Sequence, residues 1–170
     1  MKNKSAIRFG TYLGASLIAF SLLMYVIGAT QESTINSLGN IALFSVFIFF
    51  SIQECRDVEL GGYISFKRAL TQGVKASSFA AILFAAYYFV YLEFIDSDIM
   101  QQMEEQIILG YENSGMEEEQ IDEMMDAYNQ MISPGLLAAG SVAGNVIFGG
   151  IISLVLAYFL KKNNPNPFEA

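Results

Sequence analysis

The 170-residue chain contains no histidine, no tryptophan and a single cysteine, Cys55. Without imidazole, the usual general base and nitrogen metal ligand near neutral pH is missing. One thiol excludes a disulfide framework or a cysteine-built zinc site within one chain. Without tryptophan, any aromatic belt at a membrane interface must be made of tyrosine. Charge is scarce as well: 15% of residues are Asp, Glu, Lys or Arg, against about 25% in an average soluble domain. Hydrophobic residues make up 54% of the chain, and its mean hydropathy is +0.41.

The missing charge has been removed from four stretches: "IRFGTYLGASLIAFSLLMYVIGA" (7–29), "INSLGNIALFSVFIFFSIQ" (35–53), "ASSFAAILFAAYYFVYLEFI" (76–95) and "LLAAGSVAGNVIFGGIISLVLAYFL" (136–160). Each is close to the ~20 residues that cross a hydrocarbon core of ~30 Å. A backbone in lipid must satisfy its own hydrogen bonds, so each is expected to cross as a helix. None shows the alternation of a barrel wall. Lys2, Lys4 and Arg8 resemble the basic start of a signal peptide. The apolar run that follows exceeds the about 7–15 residues of a signal core. No small-x-small cleavage site follows either, because Ile27 stands in the pair with Ala29. An uncleaved helix is expected.

The bases are sorted by segment. Lys2 and Lys4 precede the first stretch and Arg8 stands at its second residue, with no charge after it; Arg56, Lys67, Arg68 and Lys75 lie between the second and third, and Lys161 and Lys162 follow the fourth; these are all nine Lys and Arg of the chain. Four crossings put these segments on one side, which the positive-inside rule makes cytoplasmic. The other side receives Glu32 and the 96–133 segment, which has eleven acids and no base. The expectation is a multi-pass protein of a bacterial inner (cytoplasmic) membrane, N- and C-termini cytoplasmic, with an acidic outer loop.

So long a loop is expected to carry structure of its own. Ile121, Met124, Met125, Tyr128, Met131 and Ile132 fall on one helical stripe, and Ile99, Met103 and Ile107 form a shorter one. Ser114 three before Glu117 has the spacing of a capping box. Glu117, Glu118 and Glu119 would fall in the first turn, where the helix dipole favours acids. "YENSG" (111–115) reads as the turn between the two helices, and Pro134 with Gly135 as the stop before the fourth span. The fold class is thus all-α: one domain, 1–170, an integral membrane four-helix bundle with an extracytoplasmic amphipathic helical hairpin between spans 3 and 4.

Six of the eight methionines, Met100, Met103, Met116, Met124, Met125 and Met131, lie in this loop. Thioethers can bind copper(I), but no His or Cys is near, and most of these Met fall on the apolar stripe, where flexible packing explains them. The acids lack the ligand spacing and central Gly of an EF-hand, so a solvated face is expected. No metal, no cofactor and no nucleic-acid partner is expected.

Within the spans, Asn145 is the strongly polar residue, read as interhelical glue ahead of a substrate contact. Glu93 lies near the outer end of the third span, where a carboxylate is a functional hypothesis by default. Lys75, near its inner end, can snorkel to the headgroups. Gly10 with Gly14 and Gly140 with Gly144 have the spacing that lets helices approach closely, within one chain or between copies. An oligomer is left open. Cys55 stands at the inner end of the second span and reads as a plain thiol ahead of a palmitoylation site. Lys67, Arg68 and Lys75 would meet anionic inner-leaflet lipid.

"GGYISFKRALTQG" (61–73), "EFIDSD" (93–98) and the four-span layout resemble the bacterial membrane family known as domain of unknown function 4199, common in the Bacteroidetes group. The resemblance covers nearly the whole chain, and "GGYISF" is its most specific piece. It implies a small four-helix inner-membrane protein and carries over no functional residues.

An enzyme is the least supported class. There is no nucleophile–base pair, no Gly-rich phosphate loop and no clustered ligand set in the spans. A structural, interaction or accessory subunit fits best, with a protein partner expected at the outer hairpin. The alternative is a small oligomeric transporter or channel for an unknown solute, thinly supported because the spans lack the buried charges expected along an ion path.

Overall fold

The computed structural model describes residues 4–28, 34–95 and 98–163; Lys2, Ala29, Glu32, Asp96 and the side chain of Met131, which enter the readings above, lie outside the described residues. Six helices follow one another: α1 (Lys4–Val26), α2 (Thr34–Glu54), α3 (Phe66–Val90), α4 (Asp98–Asn113), α5 (Glu118–Met131) and α6 (Pro134–Leu160). α2 and α3 each run on into a π-helical turn, Cys55–Glu59 and Tyr91–Ile95. α1, α2, α3 and α6 are long and apolar enough to cross a membrane. Among the described residues the one extended pairing is the isolated bridge between Ile64 and Lys162.

α3 begins at Phe66 rather than near 76. Lys67, Arg68 and Thr71 hold the exposed side of its first turns, while Ala69, Gln72 and Gly73 are buried. Lys67 and Arg68 interrupt the apolar run there, while the buried stripe of Ala69, Gln72 and Gly73 carries the helix on.

The chain divides into two compact units, Met1–Phe84 with Ser141–Ala170 and Ala85–Gly140, and the division falls within α3 and α6. In the first unit, small residues set the helix contacts. A Cβ added at Gly10 would lie 2.6 Å from the Ala76 carbonyl oxygen and 2.7 Å from Phe79 Cβ, and one at Gly14 would lie 3.0 Å from Leu83 Cβ. The glycine pair of α1 therefore seats α3, in keeping with the close approach that such spacing allows. α3 and α6 lock reciprocally: a Cβ on Gly73 would strike Ser153, and a Cβ on Gly149 would strike Ser77. Both serines turn their hydroxyls back to their own helix, Ser77 to the Gly73 carbonyl (3.0 Å) and Ser153 to the Gly149 carbonyl (2.6 Å). A hydroxyl satisfied four residues back leaves no open polar atom at the crossing. Around it, Leu13, Leu17, Phe44, Ile48 and Ile52 form the core, and Phe44 meets Phe148 edge-on at 5.1 Å.

The outward faces are apolar too. Ile82, Ile147, Ile151 and Phe159 are all more than half exposed. Helices that are apolar all round suit a hydrocarbon solvent, and exposed apolar surface of this extent is foreign to soluble monomers.

In the second unit, α4 ends in a Schellman motif. Gly115 adopts φ +80°, its N–H reaches the Glu112 carbonyl (3.0 Å), and the Met116 N–H reaches that of Tyr111 (3.3 Å). The turn therefore starts at Ser114, and Tyr111–Asn113 stay helical. Ser114 is spent on this turn, its hydroxyl donating to the Tyr111 carbonyl at 2.7 Å. The capping box consequently sits three residues later than its spacing suggests: Glu117 is the N-cap of α5, and Gln120 reaches back to it. Pro134 opens α6 rather than stopping α5. The Leu136 N–H donates to Ser133 Oγ (3.2 Å), which makes Ser133 an N-cap and Pro134 the first helical residue, the position proline tolerates best. On α5, Ile121 and Met125 are buried and Met124 is exposed. The Tyr128 hydroxyl is buried with no hydrogen-bond partner among the described residues. Burial, with the Glu104 carboxylate second, pushes its phenol above the ordinary value.

Candidate functional site

A buried polar constellation lies in the first unit, where the start of α1, the π-helical turn after α2, the start of α3 and the end of α6 meet. Glu59, on that turn, accepts the Ser5 backbone N–H at 2.9 Å and the Ser5 hydroxyl at 2.7 Å through one carboxylate oxygen. Its other oxygen accepts the Cys55 thiol at 3.9 Å. Ser5 stands in the first turn of α1, where N–H groups have no partner within the helix. A carboxylate there satisfies one of them and complements the helix dipole. The Gln72 amide of α3 donates to Ser5 Oγ (2.7 Å) and to Ser51 Oγ (3.2 Å). Ser5, Ser51, Gln72 and Cys55 are all buried. A buried amide or hydroxyl is tolerated when it is paired, and here the partners come from three helices.

The same π-helical turn reaches α6. Arg56 donates to the Leu160 carbonyl at 3.4 Å, one of the terminal carbonyls that have no helical partner, and is held by Asp57 at 2.7 and 3.0 Å. Gly61 and Gly62, at φ +68° and +96°, then turn the chain back through a region that residues with a Cβ seldom adopt. Ile64 pairs with Lys162 through two 2.9 Å backbone bonds. An Arg8–Glu54 ion pair joins α1 to α2. "GGYISF", the most specific part of the family resemblance, is thus the strap that ties the start of α3 to the end of α6.

These links gather the three base-bearing segments at one end of the unit. The acids there are engaged: Glu54 with Arg8, Asp57 with Arg56, and Glu59 with Ser5. Lys67, Arg68, Lys161 and Lys162 are exposed and make no salt bridge among the described residues. The Lys161 ammonium lies 4.5 Å from the Tyr158 ring centre, and that of Lys162 lies 5.4 Å from Tyr63. Among the described residues no three His, Cys, Asp or Glu side chains converge to hold a metal ion.

The polar positions singled out in the sequence lie elsewhere. Asn145 donates to the Ser141 carbonyl of its own helix at 2.9 Å. Lys75 is half-buried on α3, and Glu93 is exposed in the second π-helical turn. Asn145 and Lys75 belong to the first unit and Glu93 to the second. Tyr91, beside Glu93, is buried and stacks on Tyr88 at 6.4 Å. Reading the sequence missed Ser5, Ser51, Glu59 and Gln72. Gln72 alone left a trace, as a polar residue on the buried side of a helical stripe.

No curated protein and no solved structure matches the chain. A family model matches residues 8–162, from the arginine of α1 to the lysine of the Ile64–Lys162 bridge. The chain belongs to the family described as Protein of unknown function (DUF4199).

Proposed function

We propose that the chain is a multi-pass protein of a bacterial inner membrane, with both ends cytoplasmic, and that it serves without catalytic activity as an accessory or interaction subunit. α1, α2, α3 and α6 are the crossings. The all-round apolar surface of these helices supports the membrane reading, and the meeting of the base-bearing segments supports the orientation. The α4–α5 segment is then the extracytoplasmic face offered to a partner. The observation that carries the interaction reading is the chemistry of that segment. Glu105, Glu112, Glu117, Glu118, Glu119, Asp122, Glu123 and Asp126 are exposed, while Ile121 and Met125 are buried. It is an ordered, capped, anionic surface suited to a cationic protein partner.

Photo-crosslinking from Glu119 in native membranes tests this reading. A stoichiometric protein adduct is expected. Adducts to lipid only, or solute flux through proteoliposomes of the purified chain, would replace it.

A further inference from the structure

We propose that the base-rich end of the first unit binds the phosphate headgroups of anionic phospholipids, through Lys67 and Arg68 at the start of α3 and Lys162 after α6. The proposal rests on the reading of α1, α2, α3 and α6 as membrane crossings, and it names the lipid class that this end selects.

Three observations converge on it. First, the acids of this end are engaged, and Lys67, Arg68 and Lys162 remain exposed and outside any ion pair among the described residues. Among the described residues no ion pair cancels these three charges, although Lys162 also contributes to the field at Asp57. Second, the first turn of α3 holds Lys67 and Arg68 and no acid. Cations at a helix N-terminus face the positive end of the dipole, the reverse of the favoured placement. Two such side chains raise the local potential together with the dipole, and a bound phosphate turns this repulsion into attraction. Third, the strap fixes where the other cation stands. The two backbone bonds between Ile64 and Lys162 pin Lys162 beside the residues that lead into Phe66, so α6 delivers its charge to the head of α3.

The surroundings favour a lipid over a soluble anion. Phe66 and Phe159 are exposed beside these cations, while Tyr63 and Tyr158 lie under the ammonium groups of Lys162 and Lys161. Aromatic bodies with cationic heads match the level where acyl chain meets headgroup. An acidic peptide or free phosphate has no use for the apolar flank.

The test reconstitutes the full chain in phosphatidylcholine bilayers containing spin-labelled phosphatidylglycerol or spin-labelled phosphatidylcholine, and measures the motionally restricted fraction of each label. Phosphatidylglycerol is expected to be retained in preference, and the preference is expected to fall in high salt. Lys67→Gln, Arg68→Gln and Lys162→Gln should each weaken it by up to about fivefold, with helicity by circular dichroism unchanged. Equal retention of both lipids by inserted protein overturns the proposal and leaves the crossings standing. Failure to insert overturns both. Displacement of the label by inorganic phosphate or polyglutamate at low concentration would reassign the site to a soluble anion.

Discussion

The Glu59 carboxylate accepts both the backbone N–H and the hydroxyl of Ser5, a residue 54 positions earlier in the chain. One side chain on the π-helical turn after α2 thus caps the start of α1. Glu59→Ala removes the acceptor of three donors, the Ser5 N–H and hydroxyl and the Cys55 thiol, and leaving such buried groups unpaired costs about 1–3 kcal/mol. Glu59→Gln keeps one acceptor oxygen and should lose less. Thermal unfolding of the purified protein in detergent measures both. An unchanged midpoint in Glu59→Ala would show that the cap contributes nothing.

The glycines of α6 should respond with opposite signs. Gly149→Ala places a methyl against Ser77, and overpacking of this kind typically costs about 1–3 kcal/mol. A Cβ at Gly144 meets nothing within 4 Å, so Gly144→Ala should be neutral or stabilise by up to about 1 kcal/mol through helix propensity. The same unfolding measurement compares them. A large loss in Gly144→Ala would reveal that this face packs against another chain.

Tyr128→Phe deletes a buried hydroxyl that has no partner among the described residues. Removing an unpaired polar atom is neutral to stabilising, so protease resistance of the 98–131 segment should be kept or improved. The phenol titrates above its ordinary value because of burial and then Glu104. The folded form therefore holds its proton more tightly than the unfolded chain. Its contribution is complete below about pH 10, the ordinary tyrosine value, and is lost as the pH climbs through the higher folded value. Limited proteolysis along an alkaline series should show Tyr128→Phe losing less resistance than the parent.

The proposed orientation predicts a labelling pattern. Cys55 is buried, so the parent protein should stay unlabelled by a membrane-impermeant maleimide added to intact cells. Glu112→Cys in a Cys55→Ser background should label from outside, because Glu112 is exposed at the end of α4. Labelling only after lysis would invert the topology.

Helix number, the existence of four long apolar helices and the sorting of charge are written in neighbouring residues. An apolar run of about 20 residues can be seen without knowing what lies beside it, and so can the bases that flank it. Ser114, Gly115 and Pro134 show the limit of local reading. Each marks a boundary, but which group each satisfies depends on the other hydrogen bonds formed nearby. The Schellman turn takes Ser114, so Glu117 becomes the cap.

The hydrogen bonds that join Ser5, Ser51, Glu59 and Gln72 were decided only by tertiary structure. Ser5 and Gln72 are 67 positions apart and Ser51 and Gln72 are 21 apart, and no local period connects them. Asn145, conspicuous in a run of apolar residues, is answered by its own backbone. Glu59 and Gln72, inconspicuous in the segment between two apolar runs, tie α1, α2 and α3 together. The physical reason is one of reach. Burial preference and helix geometry act through residues a turn apart. A buried hydrogen bond needs a partner from whichever helix lies alongside, and the packing of the unit alone determines which one that is.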